Sequence, residues 1–186
     1  MLSNVDIERR MVSTGADAIK IGPWPTASAF GGASVDLTLS DLVRTINPGR
    51  VSHIDFRRWG SDPHYIEQIT DVSRIDDLHP LILHPGRVVI CATIEWLQVP
   101  LDLCAELHGR SSLGRLGVVP HTAGKIDPGW RGNLALELCN LGEIPIILRP
   151  GDAICQIVFH QLSSAARFVR SRFHSQVGPD MNGTLT

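Results

Sequence analysis

The feature that most constrains this chain is a period of two in its apolar residues, which returns repeatedly after residue 34. Val35, Leu37 and Leu39 alternate with Asp36, Thr38 and Ser40, and the same alternation carries Leu101, Leu103, Ala105 and Leu107, then Leu134, Leu136 and Leu138. Successive strand side chains point to opposite faces, so such runs read as half-buried strands and not as helices. Between them, Leu81-Ile82-Leu83 ends at His84-Pro85-Gly86, Val88 to Ile94 begins another strand, and Ile154 to Leu162 has strand composition throughout. Short strands separated by Pro-Gly and Asn-Leu-Gly turns, with no βαβ alternation and no internal repeat, predict a mainly β barrel or sandwich.

Four stretches depart from that pattern. Near the start, Ser3 and Asp6 form a capping pair, and Val5, Ile7, Met11 and Val12 are expected to line one side of a short helix ending by Gly15. Pro23-Trp24-Pro25 opens a turn-rich segment in which no regular structure is expected before about Ala33. From Asn47 to Asp77 the chain is irregular and polar, which predicts a long excursion from the sheet. Past Leu162 the composition changes again, with Arg167, Arg170 and Arg172 leading into a Gly-, Pro- and Asn-containing end. This tail is either a solvated extension or an arm that orders when it closes over an anion. The expected organisation is therefore a β domain with its N-terminal helix over 1–162 and a flexible C-terminal arm over 163–186.

With 186 residues, 43% of them apolar, the chain can bury one normal core. Its formal net charge of −2 advertises no global field for nucleic acid, so an anionic ligand would be held by local basic residues. The opening Met1-Leu2-Ser3-Asn4-Val5-Asp6 lacks the basic-then-apolar order of a signal peptide, and no apolar run is long enough to cross a bilayer. The expectation is a cytoplasmic protein with no membrane or nucleic-acid partner. Cys91, Cys104, Cys139 and Cys155 each sit in an apolar run, with no CxxC pair and no His at a ligand interval. They read as reduced cysteines packed as small hydrophobes, and no protein metal site is expected.

Chemistry concentrates in three segments. In His108-Gly109-Arg110-Ser111-Ser112-Leu113-Gly114-Arg115-Leu116-Gly117, glycines permit close backbone approach while hydroxyls and arginines supply donors. That suits a polyphosphate, although a Gly-bearing turn with a solvated charged side fits equally well. In His121-Thr122-Ala123-Gly124-Lys125-Ile126-Asp127-Pro128-Gly129-Trp130, the Asp-Pro-Gly is ordinary turn chemistry, and Asp127 could also accept from a sugar hydroxyl. In Asn133 to Asn140, the alternation sends Leu134, Leu136 and Leu138 to the core and puts Glu137 on the other face with Ala135 and Cys139. A carboxylate flanked by small side chains can wall a pocket, where partial burial would raise its pKa and make it a usable base. The alternative is a Glu on the wet face of the sheet.

Taken together these segments resemble the dCTP deaminase family within the trimeric dUTPase superfamily. The resemblance runs almost end to end: Leu2-Ser3, Ala33 to Leu37, Leu83-His84-Pro85-Gly86, Ala92-Thr93-Ile94-Glu95, Gly109 to Gly117, Ile126 to Gly132 and Leu136-Glu137. It implies a distorted β-barrel or jelly-roll of the dUTPase type. It also implies that Glu137 activates the water that attacks cytosine C4, with Ser111 and Arg115 positioning that water. Arg110, Ser111 and Ser112, with Gly114 in the same loop, match the family's triphosphate contacts, and Asp127 matches its contact to the deoxyribose 3′-hydroxyl. Backbone around Ala135 and Leu136 would read the pyrimidine edge, and Arg172 and Gln176 fit phosphate contacts from the closing segment. Zinc-dependent nucleobase deaminases need a His or Cys plus a CxxC, which this sequence lacks. The family instead implies Mg²⁺ carried on the substrate triphosphate, a homotrimer or hexamer with sites shared between chains, and dTTP as a feedback inhibitor.

The sequence departs from the family in three places. The loop from His121 to Ile126 is one residue shorter than usual. Gly124 resembles the bifunctional members, whereas deaminase-only members usually carry His there. Arg172-Phe173 stands where the family has Lys-Tyr, and the expected Tyr after the last strand is missing. The leading expectation is deamination of dCTP to dUTP and ammonia. Its rival is a bifunctional enzyme giving dUMP and diphosphate, and a nucleotide-binding regulator without turnover is the alternative of another class.

Overall fold

The computed structural model describes residues 1–62, 64–121 and 124–181. Among them the strands in chain order are β1 Lys20–Gly22, β2 Val35–Ile46, β3 Thr70–Arg74, β4 Leu81–Leu83, β5 Val88–Gln98, β6 Leu103–Gly109, β7 Val118–His121, β8 Lys125–Ile126, β9 Arg131–Asn140, β10 Ile146–Leu148 and β11 Ala153–Gln161. The helices are α1 Asn4–Val12, α2 Phe56–Ser61, α3 Tyr65–Ile69 and the single turn α4 Ser111–Gly114. The fold is mainly β, as the alternation predicts.

One antiparallel sheet runs in the order β7-β9-β5-β2-β11-β6-β8, with β1 added to β5 and β3 to β2, while β4 and β10 pair separately. Irregular register between Leu39 and Val43 of β2, and between Ala92 and Trp96 along β5, lets the sheet curl around its contents. The second irregularity is stitched by side chains. Asn133 Nδ2 donates to the carbonyls of Thr93, Ile94 and Glu95, and Thr93 Oγ1 accepts from the Leu134 amide. Glu95, buried there, accepts from the Thr38 amide at 2.9 Å and the Thr38 hydroxyl at 2.7 Å. The Ala92-Thr93-Ile94-Glu95 string thus holds β5 against β2 and β9, and β9 carries Glu137.

Most of the period-two residues fill the core, but Leu101 is exposed in the turn before β6 and Leu107 is half-buried. Val35, Leu37, Leu39, Leu103, Ala105, Leu134, Leu136 and Leu138 are buried, with Ile154, Ile157 and Phe159 of β11 beside them. Each fully buried Leu here contributes about 1.5–3 kcal/mol of transfer free energy.

The remaining expectations need adjustment. In α1, the Ser3 hydroxyl accepts from the Asp6 amide as a cap, and Ile7 and Met11, one turn apart, are buried. Val5 and Val12 are exposed, because neither lies on the Ile7–Met11 stripe, and the helix stops at Val12 before reaching Gly15. The segment after Pro25 contains one 3-10 turn, Ala27–Ala29. The excursion from Asn47 to Asp77 is not structureless: it builds α2, α3 and β3. Helices of six and five residues are too short to print a helical period. α2 is instead fixed by Asp55, whose carboxylate accepts from the Arg57 and Arg58 amides. Tyr65, Ile66 and Ile69 form a small second core with Val51, Trp59 and Met181.

The chain beyond β11 lies back along the barrel. The Ala166 amide donates to the Leu101 carbonyl, the Ser175 amide to Arg131 and the Asn133 amide to Gln176. Gly132 makes this possible: its φ is +140°, and a Cβ there would meet the Gln176 backbone nitrogen and oxygen at 2.8 and 2.7 Å.

Candidate active site

β9 is an inner strand, so the facing of its side chains is fixed by its two neighbours. Glu137 pairs in register with Ile90 of β5 and with His121 of β7. Along β9 burial alternates strictly, with Leu134, Leu136 and Leu138 inward and Ala135, Glu137 and Cys139 half-buried on the opposite face. Glu137 and Ala135 open onto a cavity of about 520 Å³. Asp127 and Gln176 line the same cavity, so four of the residues singled out in sequence are brought together. The Leu136 side chain faces the core, leaving only its backbone for recognition. The Leu136 carbonyl accepts from the Cys91 thiol at 3.5 Å, and that thiol is pushed far above its ordinary pKa, first by burial and then by the negative charge of Glu137.

Besides β9 and Ile90 of β5, three other parts of the chain wall this cavity. β8 and the turn after it give Lys125, Ile126, Asp127 and Trp130. The excursion gives Trp59, and the returning tail gives Ser171, Phe173, Gln176, Asp180 and Met181. Lys125 pairs with Asp127 at 2.8 Å, and this hydrogen bond and charge raise the lysine pKa. Trp130 is buried and its indole N–H donates to the Phe173 carbonyl at 3.1 Å, which ties the tail to the turn after β8. The Arg172 guanidinium stacks over the Trp59 ring with 5.3 Å to its centroid, so Arg172 sits at the edge of this cavity and does not line it.

The Gly109 to Gly117 segment lies elsewhere. Arg110, Ser111 and Gly114 line a second cavity of about 310 Å³ together with Val119, Pro120 and Gln156. Ser111, Ser112, Gly114 and Arg115 are exposed on and just after α4, with the Arg115 amide donating to the Ser111 carbonyl. Arg110 is held from below: its Nη2 meets Asp36 at 2.9 Å and its Nη1 donates to the Ala153 carbonyl at 3.3 Å. Burial pushes the Asp36 carboxyl up, against the pull of Arg110. Gln156 accepts from the Ser34 hydroxyl and donates to the Gly109 carbonyl, bracing the start of the loop. Within one chain, then, Glu137 opens onto one cavity and Arg110 and Ser111 onto another. Of the shortened loop singled out in sequence, Thr122 and Ala123 lie outside the described residues.

All four cysteines are free thiols. Among the described residues no group of three or more His, Cys, Asp or Glu side chains is gathered as a ligand set.

The family model of dCTP deaminase-like proteins matches residues 1–162. The chain belongs to the dCTP deaminase-like family. The dCTP deaminase of Rhodospirillum rubrum is 41% identical over 165 residues, 88% of this chain and 83% of the relative. The dUMP-forming dCTP deaminase of Rhodococcus erythropolis is 39% identical over 188 residues, 96% of this chain and 93% of the relative. Among solved structures, the 2′-deoxycytidine 5′-triphosphate deaminase of Agrobacterium tumefaciens superposes with a TM-score of 0.66 at 24% identity over 86% of this chain. The match covers 48% of that chain, so this protein spans about half its length. A dUTPase from phage phi11 of S. aureus gives 0.51 at 14% identity, covering 84% of this chain and 98% of its own. These two likenesses show the dUTPase-type fold.

For a dCTP deaminase-like chain, several cavity residues escaped the sequence reading. Trp59 comes from the excursion, where no period marked it. Lys125 pairs with Asp127 at the end of β8. Trp130 and Phe173 meet only because the tail returns across the start of β9. A Trp beside Asp-Pro-Gly is the one signal among these that sequence could have used.

Proposed function

We propose that the protein is a dCTP deaminase that hydrolyses dCTP to dUTP and ammonia, with Glu137 as general base and acid. The observation that carries this reading is Glu137 itself, a half-buried carboxylate on a rigid inner strand, sharing a cavity with Asp127, Trp130 and Gln176. The relatives named above are dCTP deaminases. In this reading the Glu137 carboxylate takes a proton from water as the water oxygen bonds to cytosine C4. The carboxyl delivers that proton to ring N3 and then carries the second proton of the added hydroxyl to the exocyclic nitrogen, so that C4=O forms as the C4–N4 bond breaks and ammonia leaves. Asp127 accepts from the 3′-hydroxyl and the backbone at Ala135 and Leu136 meets the pyrimidine edge.

Arg110, Ser111, Ser112 and Gly114 supply the triphosphate loop, with Arg172 and Gln176 closing from the arm, which we take as residues 163–186. Ser111 and Arg115 orient the water and polarise the site. Because these groups and Glu137 open onto separate cavities of one chain, we infer a homotrimer or hexamer in which α4 of one subunit completes the Glu137 cavity of the next. Mg²⁺ would enter on the triphosphate and offset its charge. dTTP, which shares the deoxyribose and triphosphate, fits the same site as a feedback inhibitor. Among the described residues no helix is long and apolar enough to cross a membrane. Four free thiols suit a reducing compartment, and we place the protein in the cytoplasm.

Incubation with dCTP and Mg²⁺, followed by chromatographic separation of dCTP, dUTP and dUMP, tests the proposal. Accumulation of dUTP with released ammonia is expected, and unchanged dCTP would refute it. A second reading, in which diphosphate is also released, draws on Gly124 and on the dUMP-forming R. erythropolis relative. It would replace the first if dUMP appeared without free dUTP.

A further inference from the structure

A third cavity, of about 430 Å³, lies where the returning tail crosses the start of β9, apart from both cavities assigned above. Its lining is cationic. Arg131 comes from β9, Arg170 and His174 come from the tail, and Gln98, Phe168 and Ser175 complete the wall. Among the described residues no acidic side chain lines it, and neither Arg131 nor Arg170 is ion-paired with a carboxylate there. The arrangement is built and not a chance drift of surface arginines. Arg131 is fixed by its Nε–H, which donates to the Ser175 hydroxyl at 3.1 Å. The Ser175 amide in turn donates to the Arg131 carbonyl at 2.8 Å. His174 is buried, with its ring edge-on to Phe168 at 5.2 Å between centroids. Gly129 leaves room for that Phe168 ring, since a Cβ there would meet Phe168 Cδ2 at 2.7 Å.

We propose that this cavity binds a small phosphate-class oxyanion, such as phosphate or diphosphate, which staples the C-terminal tail to the barrel. The forked guanidinium of Arg131 keeps donors free of its Ser175 bond, and Arg170 brings a second fork from the other side of the crossing. Forked, charge-assisted bonds to phosphate oxygens are the strong form of this contact. The same cations act on His174, whose pKa is lowered first by burial and then by the charges of Arg131 and Arg170. An anion seated among them would reverse that effect and favour the imidazolium. Because the cationic groups come from both the tail and β9, anion binding and tail docking must reinforce each other. The tail also walls the Glu137 cavity through Ser171, Phe173 and Gln176, so the anion would act on that cavity from outside it. None of this depends on the reaction assigned to Glu137.

The test follows the His174 imidazole by NMR of histidine-labelled full-length protein, without nucleotide, as inorganic phosphate is added. In the native chain the His174 pKa should rise by about one pH unit at saturation, on the scale usual for an opposite charge placed beside a titrating group. Arg170→Ala, a change at an exposed side chain, should abolish most of the rise. Arg110→Ala, in the other basic cavity, should leave it intact. The proposal is overturned if phosphate leaves the native His174 titration unmoved. It is equally overturned if Arg170→Ala responds like the native chain, or if Arg110→Ala removes the response.

Discussion

At the scale of single residues the candidate chemistry divides between charge that reacts and charge that holds. Glu137 pairs with Ile90 of β5 and His121 of β7 and shares its face of β9 with the small Ala135 and Cys139, whereas Arg110 is anchored on Asp36. Replacing Glu137 by Gln keeps shape and hydrogen bonding but removes the proton shuttle. Turnover of dCTP should then fall by roughly 10²–10⁴-fold, the usual scale for losing general acid–base catalysis. The dissociation constant for dCTP should change by less than about tenfold, or 1.4 kcal/mol, since the triphosphate is handled by other groups. Arg110→Ala should do the reverse, weakening binding with the smaller effect on the chemical step. Single-turnover rates and equilibrium titrations separate the two, and native-like deamination by Glu137→Gln would sink the assignment. How Glu137 faces was legible in sequence because Leu134, Leu136 and Leu138 leave one orientation for the residue between them. That Asp36 supports Arg110 was not legible. The two lie 74 positions apart by number, and only the pairing of β11 with both β2 and β6 brings them together.

At the scale of elements, the tail and β9 form the junction on which the cavity walls depend. Gly132→Ala should disrupt it, because φ near +140° strains any L side chain and the new Cβ has Gln176 backbone in its way. The expected signs are faster hydrogen exchange at the Asn133 and Ser175 amides and a raised KM for dCTP, with the barrel still folded. Unchanged exchange at those amides would show that Gly132 does not control docking. Proton linkage acts on the same junction. His174 is packed with Arg131 and Gln98 from the barrel and with Phe168, Arg170 and Ser175 from the tail. Its pKa in the docked state lies below the ordinary 6.5, so docking disfavours its proton. Above pH 6.5 both states are neutral and docking carries no penalty. As pH falls from there through the lowered docked value, the undocked tail binds the proton better and docking weakens. The protection factor of the Ser175 amide, measured from pH 8 down to pH 5 without phosphate, should therefore decline on the acid side. A flat profile would remove His174 from the linkage. The tail's cationic character was visible in Arg167, Arg170 and Arg172, but its path was not. The crossing is set by Gly132 and the Trp130 indole, and neither carries a periodic signal.

At the scale of the whole molecule, the two cavities carrying the family's motif residues are incomplete in complementary ways. The Glu137 cavity has the carboxylates of Glu137, Asp127 and Asp180 and aromatic walls, but apart from Lys125, which is paired with Asp127, its lining is poor in cations. The cavity beside α4 has Arg110, Ser111 and Gly114, and among the described residues no carboxylate or imidazole lines it. A nucleoside triphosphate needs both sets, and the exposed Ser112 and Arg115 leave α4 available to a neighbouring chain. This division is invisible in sequence, where Ser111 and Glu137 read as neighbours in one motif set. It yields a test that no single-chain site can pass. Chains carrying Glu137→Gln and chains carrying Arg115→Ala should each be nearly inactive alone. If the subunits are unfolded together and refolded as mixed oligomers, some shared sites receive native Glu137 from one chain and native Arg115 from another. Activity should then return to a fraction of the native level set by the mixing ratio, whereas simple mixing of preformed oligomers should restore none. Mass spectrometry of the mixed assemblies confirms that exchange took place. Proven mixing without recovered deamination would place both residues in one chain's site and remove the shared-site assembly.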